Sequence, residues 1–403
     1  MKAWRIGAWI GITVMLMGAS SAATWWVTAS PSRAADARVP GGMLTSPQFK
    51  RFVSTYELIR SKSIWPTTAN RLLLGATNGM VATLHDHFTD YLSRGQTESL
   101  KSQLDPSYVG VGIEVTLTRP PIIESVFLGS PAQKAGLRSG DVILAVDGHR
   151  TQSMSAAAAL KMIRGPSGSP VRLRVTAGAG AGQRQVTLAR RTIALPTVSS
   201  RMFPGHIAYL NIEEFGQETG AQSTAQFHQL MAQHPRGLVL DLRDNPGGEV
   251  SQALKVANLI VPKGPVVTLK YKNSRGDVTY DSTGPGTKLP IVVLVNHHTA
   301  SAAEILAAAI QERQGGRLVG TRTYGKGIVQ EVISLSGGAS LKLTVARYYT
   351  PDGSYIEHVG LKPNLTVVEP VNIQPSDNPA QDPQLRAAMK MLDIMLRRRG
   401  RKS

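Results

Sequence analysis

The chain has 403 residues, 42% hydrophobic and 18% charged, an ordinary globular composition of a length that suggests about two to three domains. It has no cysteine, which excludes thiol nucleophiles, thiolate zinc sites and disulfide scaffolds together. Its formal charge is +18, but the basic residues are scattered apart from the tail Arg397, Arg398, Arg399, Arg401 and Lys402. With no zinc-finger spacing and no RRM-like aromatic motif, this predicts a solvated tail near a membrane or cell-wall polymer and no nucleic-acid partner.

The amino terminus reads as a targeting segment. Lys2 and Arg5 precede an apolar run from Ile6 to Met17, followed by the small residues Gly18 to Ala23, the layout of a secretory signal. Apolar character resumes through Trp25, Trp26 and Val27, so the uncharged span 6–27 is also close to the length that crosses a bilayer. A cleaved signal and an uncleaved anchor both fit residues 1–27, and either sends the rest of the chain out of the cytoplasm, to the periplasm or cell-envelope face. Residues 28–43 are rich in Ala, Ser, Pro and Gly and read as a linker. Residues 44–107 read as a small helical region: Phe49, Phe52, Val53, Tyr56 and Ile59 recur at helical spacing, and Leu72 to Leu84 suggest a second helix. Residues 108–192 turn to short strands and glycines.

From 193 to 369 strands alternate with helices, which argues for an α/β layer architecture. Leu238–Leu242 reads as a short apolar strand and Ile291–Val295 as a buried one. Val250–Ile260 and Ala302–Ile310 read as helices, and Val329–Leu335 and Leu341–Tyr349 alternate as strands. Residues 370–403 begin polar and Pro-rich, then form an amphipathic helix over Leu385 to Leu396 before the basic tail. The amino- and carboxyl-terminal helices are candidates for homo-oligomer contacts. The expected fold is an α/β core with an inserted β domain and a small helical N-terminal region.

Two strings stand out in the β region 108–192. Tyr108-Val109-Gly110-Val111-Gly112-Ile113 is a glycine-bearing loop running into a strand. Ser130-Pro131-Ala132-Gln133-Lys134-Ala135-Gly136-Leu137 and Gly140-Asp141-Val142-Ile143-Leu144-Ala145-Val146-Asp147-Gly148 describe a short helix, a turn, a strand and an Asp-Gly hairpin. Together they resemble a PDZ domain of the bacterial protease type. Backbone N–H groups of such a loop form a nest for a free carboxylate, and the ligand chain adds as a strand to an open edge. The resemblance implies that Val109, Gly110, Val111, Gly112 and Ile113 form that loop, and that Arg164 matches a substrate-sensing arginine, a position that an ordinary surface turn residue also fits.

Three motifs follow in the α/β region. In Asp241-Leu242-Arg243-Asp244-Asn245-Pro246-Gly247-Gly248 a buried strand ends in a turn whose N–H groups can donate to an oxyanion. In Asn296-His297-His298-Thr299-Ala300-Ser301-Ala302-Ala303-Glu304 a serine stands at a strand-to-helix junction, where the helix dipole favours developing negative charge; an ordinary N-cap serine has the same setting. In Thr323-Tyr324-Gly325-Lys326-Gly327-Ile328-Val329-Gln330 a lysine lies between glycines. To serve as a base it must lose its proton, and its ordinary pKa of about 10.4 means that it must be desolvated. Gly320 to Lys326 also has the spacing of a phosphate-binding loop, but Gly327 stands where Ser or Thr should bind magnesium, and a strand follows rather than a helix.

These motifs in this order, with the Asp86–Leu92 stretch, Arg347 to Gly353 and Gly360-Leu361-Lys362-Pro363, resemble the carboxyl-terminal processing peptidases, or tail-specific proteases, over roughly residues 46 to 368. The resemblance implies an α/β protease core with an inserted PDZ-like β domain and a small helical N-terminal region. It implies that Ser301 is the nucleophile, Lys326 the general base, Gln330 the residue that orients it, and Gly247 with the N–H of Ala302 the oxyanion hole. It implies cleavage near the carboxyl terminus of poorly structured proteins with apolar tails, without a metal or other cofactor. Two departures are Ala303, where the family often has a second serine, and Asn364, where it has an aspartate. A Ser-His-Asp enzyme would need a Gly-x-Ser-x-Gly elbow or its equivalent, and a zinc protease His-Glu-x-x-His; neither is present. The rival of another class is a non-catalytic PDZ adaptor, against which the intact set Ser301, Lys326 and Gln330 argues.

Overall fold

A few short, continuous apolar runs set the centre of the molecule. The structure, a computed structural model, describes residues 41–104, 107–127, 129–177, 182–272, 276–368 and 378–400. Residues 1–27, the expected targeting segment, lie outside these, as does most of the expected linker 28–43, whose last residues, from Gly41, belong to a helix. Gly41–Thr45 (α1), Pro47–Lys62 (α2) and Ala69–Ala82 (α3) form the amino-terminal helices. The Ser46 side chain caps α2 by accepting the Phe49 N–H, and Thr68 caps α3 by accepting the Arg71 N–H. Neither α2 nor α3 has a buried residue.

The helical expectation to about Leu104 needs correction. A strand, Asp90–Leu92 (β1), separates α3 from Arg94–Leu104 (α4). Asp86 ends the helical course with its carboxylate, which accepts the Phe88 N–H at 3.0 Å and the Thr89 hydroxyl at 2.6 Å, a local bond that competes with helix.

The next unit is built from Ser107–Gly110 (β2), Ile113–Val115 (β3), Ile123–Val126 (β4), Pro131–Lys134 (α5), Val142–Val146 (β5), His149–Arg150 (β6), Ala156–Ile163 (α6), Pro170–Thr176 (β7), Gln183–Ala189 (β8) and Arg191–Ala194 (β9). β6, β5, β7 and β8 make one sheet and β3–β4 a ribbon, while β2 pairs antiparallel with β9, so the chain enters and leaves side by side. Asp147 and Gly148, at φ 48 and 87, make the tight turn between β5 and β6 that the Asp-Gly pair predicts. Val111, Ile123, Ile143, Val171 and Leu173 belong to a separate apolar core. Arg190, 7% exposed, fastens the end of α6 by donating to the carbonyls of Ile163 and Met162.

The last unit contains Val198–Phe203 (β10), Ile207–Ile212 (β11), Thr219–Met231 (α7), Gly237–Asp241 (β12), Val250–Ile260 (α8), Gly264–Tyr271 (β13), Asp277–Ser282 (β14), Ile291–Val295 (β15), Ala302–Arg313 (α9), Arg317–Gly320 (β16), Ile328–Ser334 (β17), Ser340–Tyr349 (β18), Leu365–Thr366 (β19) and Pro383–Gly400 (α10). The main sheet runs β10-β11-β12-β15-β16-β19, parallel except for the edge pair β10–β11. β12 and β15 are buried along their whole length, as expected of parallel strands covered on both faces. Their side chains divide by alternation. Leu238, Leu240, Val293 and Val295 face the core containing residues of α7, α8 and α9, whereas Val239, Val292 and Leu294 meet Leu385, Ala388 and Leu392 of α10.

A second sheet is antiparallel. β18 pairs with β17 along one edge; its other edge takes β1 at Ser340–Lys342 and β13 at Ala346–Tyr349. The amino-terminal strand is therefore part of the α/β core, not of a separate helical unit.

α10 is tied to the first motif by buried charge. Arg243 donates to Asp241 at 2.6 Å and to Asp382 at 2.7 Å, and Tyr209 donates its hydroxyl to Asp241 at 2.9 Å. Burial opposes the guanidinium charge, but the two aspartates outweigh it and raise the Arg243 pKa. Replacing Arg243 by Ala leaves two buried carboxylates without their counter-charge, so a loss of about 3–5 kcal/mol is expected. Chemical denaturation reads that loss, and amide exchange should quicken within α10.

Candidate active site

The three motifs are the loops that leave the carboxyl ends of β12, β15 and β16, three adjacent parallel strands. This is the edge where open α/β sheets bind ligands. Hydrogen bonds stitch the loops together. Asn245 accepts the Ala300 N–H on its main-chain carbonyl at 2.9 Å. Asn296 Oδ1 accepts the Asp244 N–H at 3.0 Å, and Thr299 donates its hydroxyl to the Leu242 carbonyl at 2.7 Å.

Ser301 stands immediately before α9 with φ 55 and ψ −113. That is neither helical nor the extended geometry of an ordinary N-cap, and it is a strained position for a residue with a β-carbon. Its N–H donates to Glu304 Oε2 at 2.8 Å. The same oxygen accepts the Lys326 N–H at 3.0 Å, while Oε1 accepts the Gly325 N–H at 2.8 Å and the Thr323 hydroxyl. Glu304 has no exposure. Burial raises its pKa, against the hydrogen bonds from Thr323, Lys326, Ser301 and Gly325. One carboxylate oxygen thus holds the backbones of Ser301 and Lys326 beside each other. Below them, Tyr348 OH donates to the Ser301 carbonyl at 3.5 Å.

Lys326 is wholly buried. Its Nζ donates to Gln330 Oε1 at 3.3 Å and lies 4.2 Å from the centre of the Phe88 ring. The β17 register shifts between Val329 and Gln330, and such a bulge re-aims a side chain; both residues are buried although consecutive. Burial lowers the Lys326 pKa to about 7, helped by the charge of Lys342 and opposed by Glu357 and Asp86. The amine can therefore be neutral at neutral pH.

Gly247 packs against the serine. A β-carbon there would sit 2.8 Å from the Ala300 carbonyl oxygen and 3.0 Å from Ser301 Cβ, and its φ of 102 favours glycine. Its N–H, however, donates to Asn245 Oδ1 at 2.8 Å, so in this structure it is directed away from an oxyanion. The Ala302 N–H makes no hydrogen bond among the described residues. His297 and His298 are exposed with ring centres 3.7 Å apart. Asn364, the family departure, accepts the Leu318 N–H at 2.8 Å and the Gln311 amide at 3.0 Å, a local contact in the main sheet.

In the β unit, Val109 and Gly110 lie in β2, and Val111, Gly112 and Ile113 lead into β3. The Val111 carbonyl accepts the Ala132 N–H and the Gly112 carbonyl the Phe127 N–H, both at 3.0 Å. Gly112 has φ 81, and a β-carbon there would fall 2.3 Å from Ser130 Cβ. Arg164 is exposed at the carboxyl end of α6. Sequence reasoning missed Glu304, Thr323, Tyr348 and Phe88. Only Glu304 had a local signal, because Ser301 and Glu304 have capping-box spacing.

A PDZ-type module on an α/β core with a serine and a desolvated lysine at its strand ends defines a PDZ-bearing serine peptidase. Comparison with known proteins gives the family. Residues 206–367 match the model for peptidase family S41 and residues 122–176 that for the PDZ domain. The chain is 36% identical over 320 residues to the carboxy-terminal processing protease CtpA of Bacillus subtilis, covering 79% of this chain and 68% of that protein. It is 34% identical over 345 residues to the carboxyl-terminal-processing protease of Synechocystis, covering 83% and 80%. Among solved structures, the photosystem II D1 C-terminal processing protease matches with a TM-score of 0.50 at 31% identity, covering 83% of this chain and 90% of that one. The chain belongs to peptidase family S41, among its carboxyl-terminal processing proteases.

A lysine at about 7 in the fold and about 10.4 when unfolded binds fewer protons in the fold between those values, so its contribution makes stability rise with pH across that window. Lys326→Met removes the buried amine. It is expected to melt above the wild type at about pH 6 and to lose that margin by about pH 10; melting curves at both pH values test this.

Proposed function

We propose that the protein is an exported serine endopeptidase that captures the carboxyl-terminal tail of protein substrates on its PDZ domain and cleaves them with a Ser301–Lys326 dyad. The observation that carries this reading is Lys326: a wholly buried amine with its pKa drawn down to about 7, on a backbone clamped by the same carboxylate oxygen that holds Ser301.

In the reaction, Ser301 Oγ attacks the scissile carbonyl carbon while neutral Lys326 Nζ takes its proton. Gln330 orients the amine by accepting one of its N–H groups. The Ala302 N–H, at the start of α9, stabilises the oxyanion. Gly247 leaves room for that oxygen and adds its own N–H once released from Asn245. The tetrahedral intermediate collapses as the Lys326 ammonium protonates the leaving amine, which yields an acyl-enzyme. Water then attacks the ester carbonyl and gives its proton to Lys326. Collapse of the second intermediate returns that proton to Ser301 and releases the new carboxylic acid, which ionises to the carboxylate by giving its proton to solvent.

The Val109–Ile113 loop is the candidate nest for the tail carboxylate, with β3 as the strand against which the tail lies and Arg164 as a contact at its rim. Lys2 and Arg5 ahead of residues 6–27 support export, with that segment as a cleaved signal or a membrane anchor. Phe52, Leu58, Leu73 and Met80 are exposed on α2 and α3 and support a homo-oligomer through the amino-terminal helices, with α10 as a second candidate.

The test uses an unfolded protein ending in apolar residues as substrate for the wild type, Ser301→Ala and Lys326→Ala. Cleavage by the wild type and a loss of about a thousandfold or more in each variant are expected. Equal cleavage by all three would sink the dyad, and binding without cleavage by any of them would establish an adaptor. The rate should climb with pH through a limb near 7, because only the neutral amine accepts a proton; a flat profile would remove Lys326 as the base.

A further inference from the structure

The stretch Asp86–Leu92 lies far from the three motifs along the chain and has no part in the dyad described above. In the fold it forms one wall of the lysine pocket. The Phe88 ring centre is 4.2 Å from Lys326 Nζ, and the Phe88 carbonyl accepts the Gln330 side-chain amide. Gln330 then presents its Oε1 to the amine. One residue therefore touches the base through its ring and the group that orients the base through its carbonyl.

Phe88 is held on both sides. Its N–H donates to Asp86 Oδ1. Thr89 Oγ1 accepts the Thr344 N–H at 3.2 Å, and Asp90 pairs with Lys342 at 2.7 Å, in register with the pairing of β1 and β18. On its outer side lies a cleft of about 1230 Å³ lined by Phe88, Asp86, Arg347, Tyr355 and Glu357 among others. Lys326 does not line that cleft and has no exposure, whereas Phe88 is half-buried.

We propose that Phe88 is a positioning residue for the Ser301–Lys326 reaction: its ring is the partition that keeps cleft water off the amine, and its carbonyl sets the Gln330 amide so that Oε1 faces the amine. The proposal rests on the dyad reading. The charged groups around the amine come from several elements. Lys342 of β18 disfavours the ammonium, while Glu357 beyond β18 and Asp86 before β1 favour it. Asp90 is engaged with Lys342, and Glu304 of α9 holds the Lys326 backbone. Among these, burial is the largest influence, and Phe88 supplies the side of it that faces the cleft. The ring's π-face by itself attracts an ammonium, so its cover and its quadrupole act in opposite directions; desolvation is the stronger for a buried lysine.

Phe88→Ala and Phe88→Leu separate these effects. kcat/KM for the unfolded substrate would be measured across pH for both, beside the wild type, Ser301→Ala and Lys326→Ala. Phe88→Ala admits water and should move the rising limb up by about one pH unit, which costs about tenfold near pH 6 and little above pH 9. Phe88→Leu keeps the cover and should hold the limb within about 0.3 unit of the wild type. A Phe88→Ala profile lowered equally at every pH, or a Phe88→Leu limb displaced as far as that of Phe88→Ala, would overturn the partition. Activity surviving in Ser301→Ala or Lys326→Ala would instead overturn the dyad, and the proposal with it; loss in both alongside an unmoved Phe88→Ala limb would overturn the proposal alone.

Discussion

Glu304 buries a carboxylate where burial alone would push it toward the neutral form, and four donors from two loops meet it there. A buried charge is costly unless its oxygens are filled by hydrogen bonds, and the first turn of a helix is where the backbone favours a negative group. The result is a clamp. The loop leaving β15 and the loop leaving β16 cannot move apart without exposing unpaired N–H groups and an unpaired carboxylate. Ser301 and Lys326 ride on those loops, so their relative placement follows from an interaction that involves neither of their side chains.

The clamp sits at the meeting of two sheets. The parallel sheet delivers the three motif loops to one edge, and β17 of the antiparallel sheet starts directly after Lys326 and Gly327. Lys326 therefore has the closed core on one side and the second sheet on the other, and lysine desolvation is a consequence of that junction. The buried pairing of Arg243 with Asp241 and Asp382 does for the first motif what Glu304 does for the other two, with α10 as the brace. The PDZ unit keeps its own apolar core and is closed off by the β2–β9 pair, the arrangement expected of a domain inserted into a chain.

Much of this was legible along the chain. Leu238–Leu242, apolar but for Asp241, and Ile291–Val295 are short runs bounded by turn residues, and the strands there, Gly237–Asp241 and Ile291–Val295, are parallel and fully buried. The Asp147-Gly148 pair marked its hairpin because few dipeptides accept positive φ at both positions. Candidates Ser301, Lys326, Gln330, Gly247 and Ala302 were named from their motifs, and the fold gathers them at one sheet edge. Other features were not legible. Asp90–Leu92 reads as part of a helical stretch, because three residues of strand carry no periodicity and their partner lies in β18, at the other end of the core. Phe88 passes for an ordinary apolar residue in that stretch. The direction of the Gly247 N–H depends on where the Asn245 side chain turns.

Local chemistry, by itself, determined which segments become strand, helix or tight turn, where the apolar cores gather, and which residues stand at the strand ends. Those properties follow from side-chain alternation and backbone preference over a few neighbouring positions. Only the tertiary structure decided that β1 joins the protease core, that one glutamate clamps two loops, and that Lys326 is dry enough to lose its proton near neutrality. Desolvation belongs to everything that surrounds a group, and the surroundings of Lys326 come from segments as distant along the chain as Phe88 and Glu357.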